Sequence, residues 1–253
     1  MSTSPRPRRP RLAPRDSGRW WRRYQRETRR PLCCLLFLLP LGLIYEIGLL
    51  RTAGGDGARW ELLAPASIRE VFGWLGLAGI WVPGVVLIGT LLVWHRISRD
   101  RWRMRAWVLP AMLVESLVLT VPLLVLAALF PQAPEAAASD LPARLVRALG
   151  AGIYEELVFR LLLISALVWS AIEIAHVPNR AALWVAVGLS AVLFARCHFA
   201  PVGAEPFTWG AFWFRLAAGA YLAVIFVGRG LGVSAGCHAA YNVILVCLRG
   251  AGA

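Results

Sequence analysis

Long apolar stretches separated by short polar segments dominate the chain from residue 32 onward. A bilayer core about 30 Å thick needs roughly 20 apolar residues per helix, and seven stretches approach that length. We interpret them as helices, because lipid-exposed backbone must satisfy its own hydrogen bonds and the alternating pattern of barrel strands is missing. The predicted spans are residues 32–50, 71–94, 106–130, 148–172, 181–199, 207–227 and 231–248.

The predicted fold class is therefore an all-α, polytopic transmembrane bundle of about seven spans. An eighth span results if the Pro-rich region between 106 and 147 is divided differently. The composition agrees: 58% of the residues are hydrophobic, 16% are charged, and the mean hydropathy is +0.62. These values are too apolar for an ordinary soluble domain.

Positive charge is concentrated near the N-terminus. The net charge of +13 comes from 27 arginines and no lysine, and 11 of those arginines lie in residues 1–30. Such segregation argues against a nucleic-acid-binding domain and predicts a basic, disordered cytoplasmic tail that touches anionic lipid. Transmembrane helices would fill 31–140, and a second group of transmembrane helices would fill 141–250. Five arginines in 95–105 place that loop in the cytoplasm and the C-terminus outside.

Three charged residues interrupt the fourth predicted span, although a charge at a helix centre costs roughly 2.5–3.5 kcal/mol on insertion scales. They are Glu155, Glu156 and Arg160. Glu156 and Arg160 are four residues apart and can pair on one helical face. Glu155 is rotated about 100° from its neighbour and can point elsewhere. The pairing therefore explains one carboxylate and leaves the other as a candidate functional group.

Two further polar patterns occur in the fifth and seventh spans. Phe194 precedes His198 by four residues, and His238 precedes Asn242 by four, so each pair shares a helical face. A carboxylate can take a proton from water, and imidazole and amide N–H groups can hold an oxyanion. Glu155 together with the two imidazoles and the amide would thus suit hydrolysis at membrane depth.

Each residue also has a structural interpretation. A single intramembrane histidine is more often a packing residue, Glu156 with Arg160 is more often a structural ion pair, and Asn242 can join helices. These interpretations weaken when all the residues occur on three spans of one chain.

Arg215, in the sixth span, needs an acid, carbonyl or water partner. Glu115 and Glu46 are the available carboxylates, and we expect a structural pairing.

Together the three patterns resemble the motifs of the CPBP family, the CAAX protease and bacteriocin-processing enzymes also called the Abi family. The resemblance covers about residues 145–245, with the motifs in the same order on successive polar spans. It implies an intramembrane endopeptidase. It also implies that Glu155 is the general base, assisted by His198, while His238 and Asn242 stabilise the oxyanion. Supporting residues would be Glu156, Arg160 and Phe194.

Family members have been described both as metalloproteases and as glutamate-dependent proteases. Glu155, His198 and His238 could supply three ligands to a divalent metal such as Zn²⁺, but the chain has no H-E-x-x-H helix. We favour a glutamate-activated water without an obligatory metal.

The expected partners are the lipid bilayer and a membrane-associated protein or peptide substrate, with no nucleic acid; the oligomeric state is left open. The absence of lysine indicates a GC-rich genome, and hence a multi-pass protein of the bacterial inner membrane. A proton- or ion-coupled transporter and a noncatalytic membrane scaffold are the alternative functions. A transporter would use the same polar residues as a relay.

Overall fold

The computed structural model describes residues 17–52, 81–130, 141–199 and 206–250, with the isolated positions 65, 68 and 70. Every secondary-structure element within those residues is a helix, which confirms the all-α class. The elements are α1 (Ser17–Thr28), α2 (Pro31–Thr52), α3 (Val82–Ile97), α4 (Val108–Leu129), α5 (Leu141–Glu156), a π-helical segment (Leu157–Ile164), α6 (Ser165–Glu173), α7 (Asn179–Cys197), α8 (Trp209–Arg229) and α9 (Leu231–Gly250).

The predicted spans correspond to these helices. Helices α2, α4, α7, α8 and α9 are long and apolar enough to cross a membrane, and α3 is a shorter apolar helix. The predicted span 148–172 lies within one continuous rod formed by α5, the π segment and α6. Part of the predicted span 71–94 lies outside the described residues. The structure is consistent with a bundle of about seven to eight spans.

The prediction of a disordered tail over residues 1–30 is wrong for residues 17–28, which form α1; residues 1–16 lie outside the described residues. The abundance of arginine hid an amphipathic pattern in this segment. Trp20 and Tyr24 are one turn apart, and both rings stack near Trp107. Tyr24 is buried and Trp20 packs on the Trp107 ring, which gives the segment the tertiary contact that a short helix needs.

Contacts between chain-distant residues show which helix ends meet. Arg30 Nε lies 2.5 Å from Asp100 Oδ2, so the start of α2 meets the end of α3. Arg29 donates to the carbonyl oxygens of Val227 (3.1 Å) and Gly228 (3.0 Å), which brings the end of α8 to the same place. We call this end of the bundle, which carries α1 and the 98–107 loop, the arginine end.

Helix α9 is the central helix of the bundle. In its membrane-length window 61% of the residues are buried, compared with 22% for α4. Glycines allow this close packing: a Cβ at Gly236 would lie 2.6 Å from Ser116 Oγ on α4, and a Cβ at Gly152 on α5 would collide with the backbone of Ala239. Small residues let helix backbones approach in this way.

The break between α8 and α9 is a single residue, Gly230. Its φ is +91°, a conformation that side chains with a Cβ rarely adopt. A Cβ there would also lie 3.1 Å from the Cα of Arg29. Glycine at this position therefore lets α9 begin directly after α8 beneath the start of α2.

Candidate active site

The two adjacent glutamates lie where α5 becomes the π segment. Glu156 is the last residue of α5, and the next eight residues are π-helical. Segments of π-helix are rare and occur frequently at functional sites. Because Gly152 lies one turn before Glu156 and contacts Ala239, both carboxylates are held against the face of α9 that carries His238.

Glu156 is fully buried and satisfied by three partners. Its carboxylate lies 3.4 Å from Arg160 Nε, accepts a short hydrogen bond from Ser234 Oγ, and lies 3.1 Å from His238 Nδ1. The predicted pairing of Glu156 with Arg160 is therefore present. Glu156 is bound too fully to be the reacting carboxylate, and it positions an imidazole instead.

Glu155 faces both histidines. Its Oε2 lies 3.8 Å from His198 Nε2 and 3.9 Å from His238 Nε2, although the histidines are on different helices. These distances are too long for direct hydrogen bonds, but a single water at about 2.8 Å from each atom could bridge them. Glu155 is thus free of the Glu156 network, as the sequence predicted, and is directed at the two imidazoles.

The two imidazoles are oriented by different acceptors. His198 Nδ1 lies 2.7 Å from the carbonyl oxygen of Phe194, which can only accept, so Nδ1 carries a proton. His238 Nδ1 instead lies 3.1 Å from the carboxylate of Glu156. In both rings Nδ1 is used for orientation and Nε2 points towards Glu155.

Phe194 closes one side of the site. Its ring is edge-on to His198 at 4.7 Å and to His238 at 6.0 Å, and the Arg160 guanidinium carbon lies 4.3 Å from its centroid. A Cβ at Gly219 would lie 2.9 Å from Phe194 Cδ1, so glycine is required for the ring to fit. Phe194 therefore contacts both imidazoles and the buried cation, as a supporting residue would.

Asn242 makes a different contact. Its side-chain nitrogen donates to the carbonyl oxygen of Ala148 on α5 over a long 3.4 Å. An amide has two N–H groups, so this bond leaves one for another acceptor. Its part in an oxyanion site stays a prediction.

The sequence reasoning did not include Ser234 or Gly152. Ser234 lies four residues before His238, so the i, i+4 spacing that linked His238 with Asn242 extends one turn further and could have found it. Gly152 carried no signal in the sequence, because its importance depends on the backbone of Ala239.

Arg215 was expected to pair with Glu115 or Glu46. Glu115 instead lies at the arginine end, where its Oε1 is 2.5 Å from Arg229 Nε. Glu46 accepts a hydrogen bond of 2.7 Å from Tyr154. Arg215 is close enough to interact electrostatically with Glu155 and His198, which places a positive charge beside the site.

The three residues that the sequence offers as metal ligands converge. Glu155 Oε2 lies 3.8 Å from His198 Nε2 and 3.9 Å from His238 Nε2. Within the described residues, no group of three or more His, Cys, Asp or Glu side chains is close enough to form a closed metal site. A metal at these residues stays a prediction.

The apolar helices indicate a multi-pass membrane protein, and a buried Glu–His cluster lies within its bundle. Residues 137–244, a little under half of the chain, match the family model "Type II CAAX prenyl endopeptidase Rce1-like". This segment is similar to that family, in agreement with the resemblance that the three motifs indicate. No curated protein and no solved structure matches the chain.

Proposed function

We propose that this protein is an intramembrane endopeptidase in which Glu155 activates the hydrolytic water. One observation carries the proposal: Glu155 Oε2 faces the Nε2 atoms of His198 and His238 at 3.8 and 3.9 Å, and both rings are anchored through Nδ1. A water in this gap would contact a carboxylate base and two oriented imidazoles.

The two histidines have different roles in this proposal. His198 is anchored through Nδ1 by the Phe194 carbonyl, so its Nε2 is directed at the attacking water. His238 is anchored through Nδ1 by Glu156, and its Nε2 lies on the side from which an imidazole N–H would donate to the oxyanion. Asn242 supplies a second donor with the N–H that Ala148 does not use.

The reaction follows from these roles. Glu155 takes a proton from water while the water oxygen bonds to the carbonyl carbon of the scissile peptide. The carbonyl oxygen becomes the oxyanion held by His238 and Asn242. Glu155 then gives its proton to the amide nitrogen as the C–N bond breaks. The immediate products are a carboxylic acid and an amine, and the carboxylate of Glu155 is regenerated. The acid then gives its remaining proton to the amine, so the released groups are a carboxylate and an ammonium.

The proposed substrate is a membrane-associated protein cleaved near its C-terminus. The matched family is named for CAAX prenyl proteins, whose cleaved segment ends in a free carboxylate. Arg215 places a positive charge close to Glu155 and His198. A cation at this position would attract such a carboxylate towards the site. We retain the bacterial inner membrane as the proposed location.

Paired variants test the mechanism. In the first assay, purified protein in proteoliposomes receives a farnesylated CAAX peptide or the unmodified peptide, and the rate of cleavage is measured. In the second assay, mass spectrometry compares the termini of membrane proteins from cells that carry the wild type or a variant. Glu155→Gln and His198→Ala should each lower cleavage by about 100-fold or more, as expected for loss of acid–base catalysis. Glu173→Gln, an exposed carboxylate at the end of the same rod, is the matched control and should cleave normally. Cleavage that persists in both site variants, with normal membrane insertion, would reject the proposal.

The metal-free part of the proposal has a separate test. Dialysis against a strong chelator should leave cleavage unchanged if water is activated by Glu155 alone. Loss of activity that added Zn²⁺ restores would instead assign a metal to Glu155, His198 and His238.

A further inference from the structure

A large cavity lies at the arginine end, between α1 and the segment before α4. Its volume is about 800 Å³. Five arginines line it, and the one carboxylate of the lining, Glu27, is already paired with Arg30 at 2.8 Å. Excess positive charge therefore surrounds this space, which we call the basic cavity. Its lining residues are Arg19, Trp20, Arg22, Arg23, Arg26, Glu27, Arg105 and Trp107.

A second cavity of about 430 Å³ adjoins the first and shares Trp20 with it. We call it the apolar cavity, because its walls are aromatic rings of α1 and aliphatic residues of α4. Its one carboxylate, Glu115, bonds to Arg229 and to the Tyr24 hydroxyl, so its charge is compensated. The lining residues are Trp20, Trp21, Tyr24, Pro110, Ala111, Val114 and Glu115.

Both cavities have fixed walls, because α1 is docked on the bundle. The ring centroids of Trp20 and Trp107 are 5.6 Å apart, and the Tyr24 hydroxyl donates to Glu115 at 2.7 Å. The Arg229 guanidinium carbon lies 5.0 Å from the Trp21 ring and 5.1 Å from the Tyr24 ring. Residues far apart in the chain thus hold α1 beside α4.

We propose that the two cavities form a binding site for one anionic phospholipid. The phosphate headgroup would lie among the arginines of the basic cavity, and an acyl chain would follow the apolar cavity along α4. Arginine binds phosphate through paired N–H groups, and tryptophan favours the membrane interface. A soluble phosphate would leave the apolar cavity unused. The shared Trp20 wall therefore favours a ligand with a charged end and an apolar end.

The wild-type protein tests the choice of ligand. Binding to the full chain in a non-ionic detergent is measured by native mass spectrometry with short-chain phosphatidylglycerol, short-chain phosphatidylcholine and inorganic phosphate. We expect phosphatidylglycerol to bind at least about tenfold more tightly than phosphatidylcholine, because several arginines contribute to anionic-lipid attraction. Equal binding of the two lipids would overturn the proposal. The proposal would also be overturned if inorganic phosphate bound as tightly as phosphatidylglycerol, because the site would then bind phosphate alone.

Charge-matched variants test the location. The triple variant R22Q/R23Q/R26Q removes three arginines of the basic cavity, while R99Q/R101Q/R103Q removes three from the adjacent loop that do not line it. The first should weaken phosphatidylglycerol binding about tenfold or more, and the second less than about threefold. Equal weakening would mean a diffuse surface charge and would overturn the proposal. If the first variant fails to fold, Arg105→Gln replaces it, because this change leaves α1 intact. Arg105→Gln should lower the affinity for phosphatidylglycerol, and an unchanged affinity would overturn the proposal.

Discussion

The active-site cluster and the arginine end both contain buried or half-buried ion pairs, but they are built differently. Glu156 and Arg160 are four residues apart on one helix, and both side chains are 0% exposed. Glu115 and Arg229 come from different helices, 114 residues apart, and are 16% and 11% exposed. Glu156 also holds His238 beside Glu155, whereas Glu115 joins helices through Arg229 and Tyr24. The same kind of ion pair thus orients a candidate catalytic side chain in one region and docks helices in the other.

The strongest test of this difference removes one carboxylate from each region. Glu156→Gln leaves the Arg160 charge buried without its counter-ion, which we expect to cost about 3–5 kcal/mol of unfolding free energy. Glu115→Gln leaves Arg229 partly exposed beside two aromatic rings and should cost about 1 kcal/mol or less. Unfolding titrations in mixed micelles measure the free energy of unfolding of the two variants and of the wild type. Equal losses would remove the distinction between the two regions.

The helix contact behind the cluster gives the next largest effect. Gly152→Ala puts a methyl group against the backbone of Ala239, where no side-chain rotation can relieve the clash. We expect a loss of about 1–3 kcal/mol in stability, together with lower cleavage, because α5 and α9 must separate. Gly188→Ala makes the same change where nothing lies within 4 Å and is the matched control. If the two variants behaved alike in stability and cleavage, the close approach would not hold the site together.

A third prediction concerns the positive charge beside Glu155. Arg215→Gln should raise the KM for a peptide with a free C-terminal carboxylate about tenfold, equivalent to roughly 1.4 kcal/mol. The same peptide with an amidated C-terminus should show little change. Arg180→Gln, at the exposed start of α7, serves as the control. Equal changes for both peptides would contradict a carboxylate-binding role for Arg215.

The smallest effect is expected at the arginine end, outside the spans. Partial burial raises the pKa of Asp100. Hydrogen bonds from the Arg30 side chain and the Arg101 backbone lower it by more, so the net effect is a lowered pKa. A lowered pKa in the folded state contributes stability above the unfolded value of about 4, and this contribution is lost as the pH falls towards the folded value. The contribution should be about 0.2–1 kcal/mol. Melting curves between pH 6 and 3 should show it in the wild type and lack it in Asp100→Asn; identical pH profiles would contradict it.

Local spacing made much of the bundle and of the site predictable. Apolar length predicted the helices, and i, i+4 spacing predicted Glu156 with Arg160 and Phe194 with His198. Both pairs lie on single helices, so their geometry follows from helix periodicity alone. The convergence of His198 and His238 on Glu155 was expected from the family resemblance and not from spacing.

The remaining features depend on contacts between distant parts of the chain. Helix α1 was missed because its aromatic partner, Trp107, lies 87 residues after Trp20 in the chain. The pairing of Glu115 with Arg229 was missed for the same reason, because the two residues are 114 positions apart in the chain. The contact between Asn242 and Ala148 was equally invisible, because nothing in the sequence joins α9 to that turn of α5.

The π segment that follows Glu156 has a consequence for the length of the rod. A π turn closes with i→i+5 hydrogen bonds, so it holds more residues than an α turn and shifts the phase of every residue after it. Deleting one of the three leucines Leu161, Leu162 and Leu163 would therefore leave Glu155, Glu156 and Arg160 in place. It would nevertheless turn α6 by about one residue, roughly 100°, relative to the helices it packs against. Insertions and deletions that this rod tolerates should accordingly come in whole turns, and this stretch is where a single-residue change in length would have the largest effect.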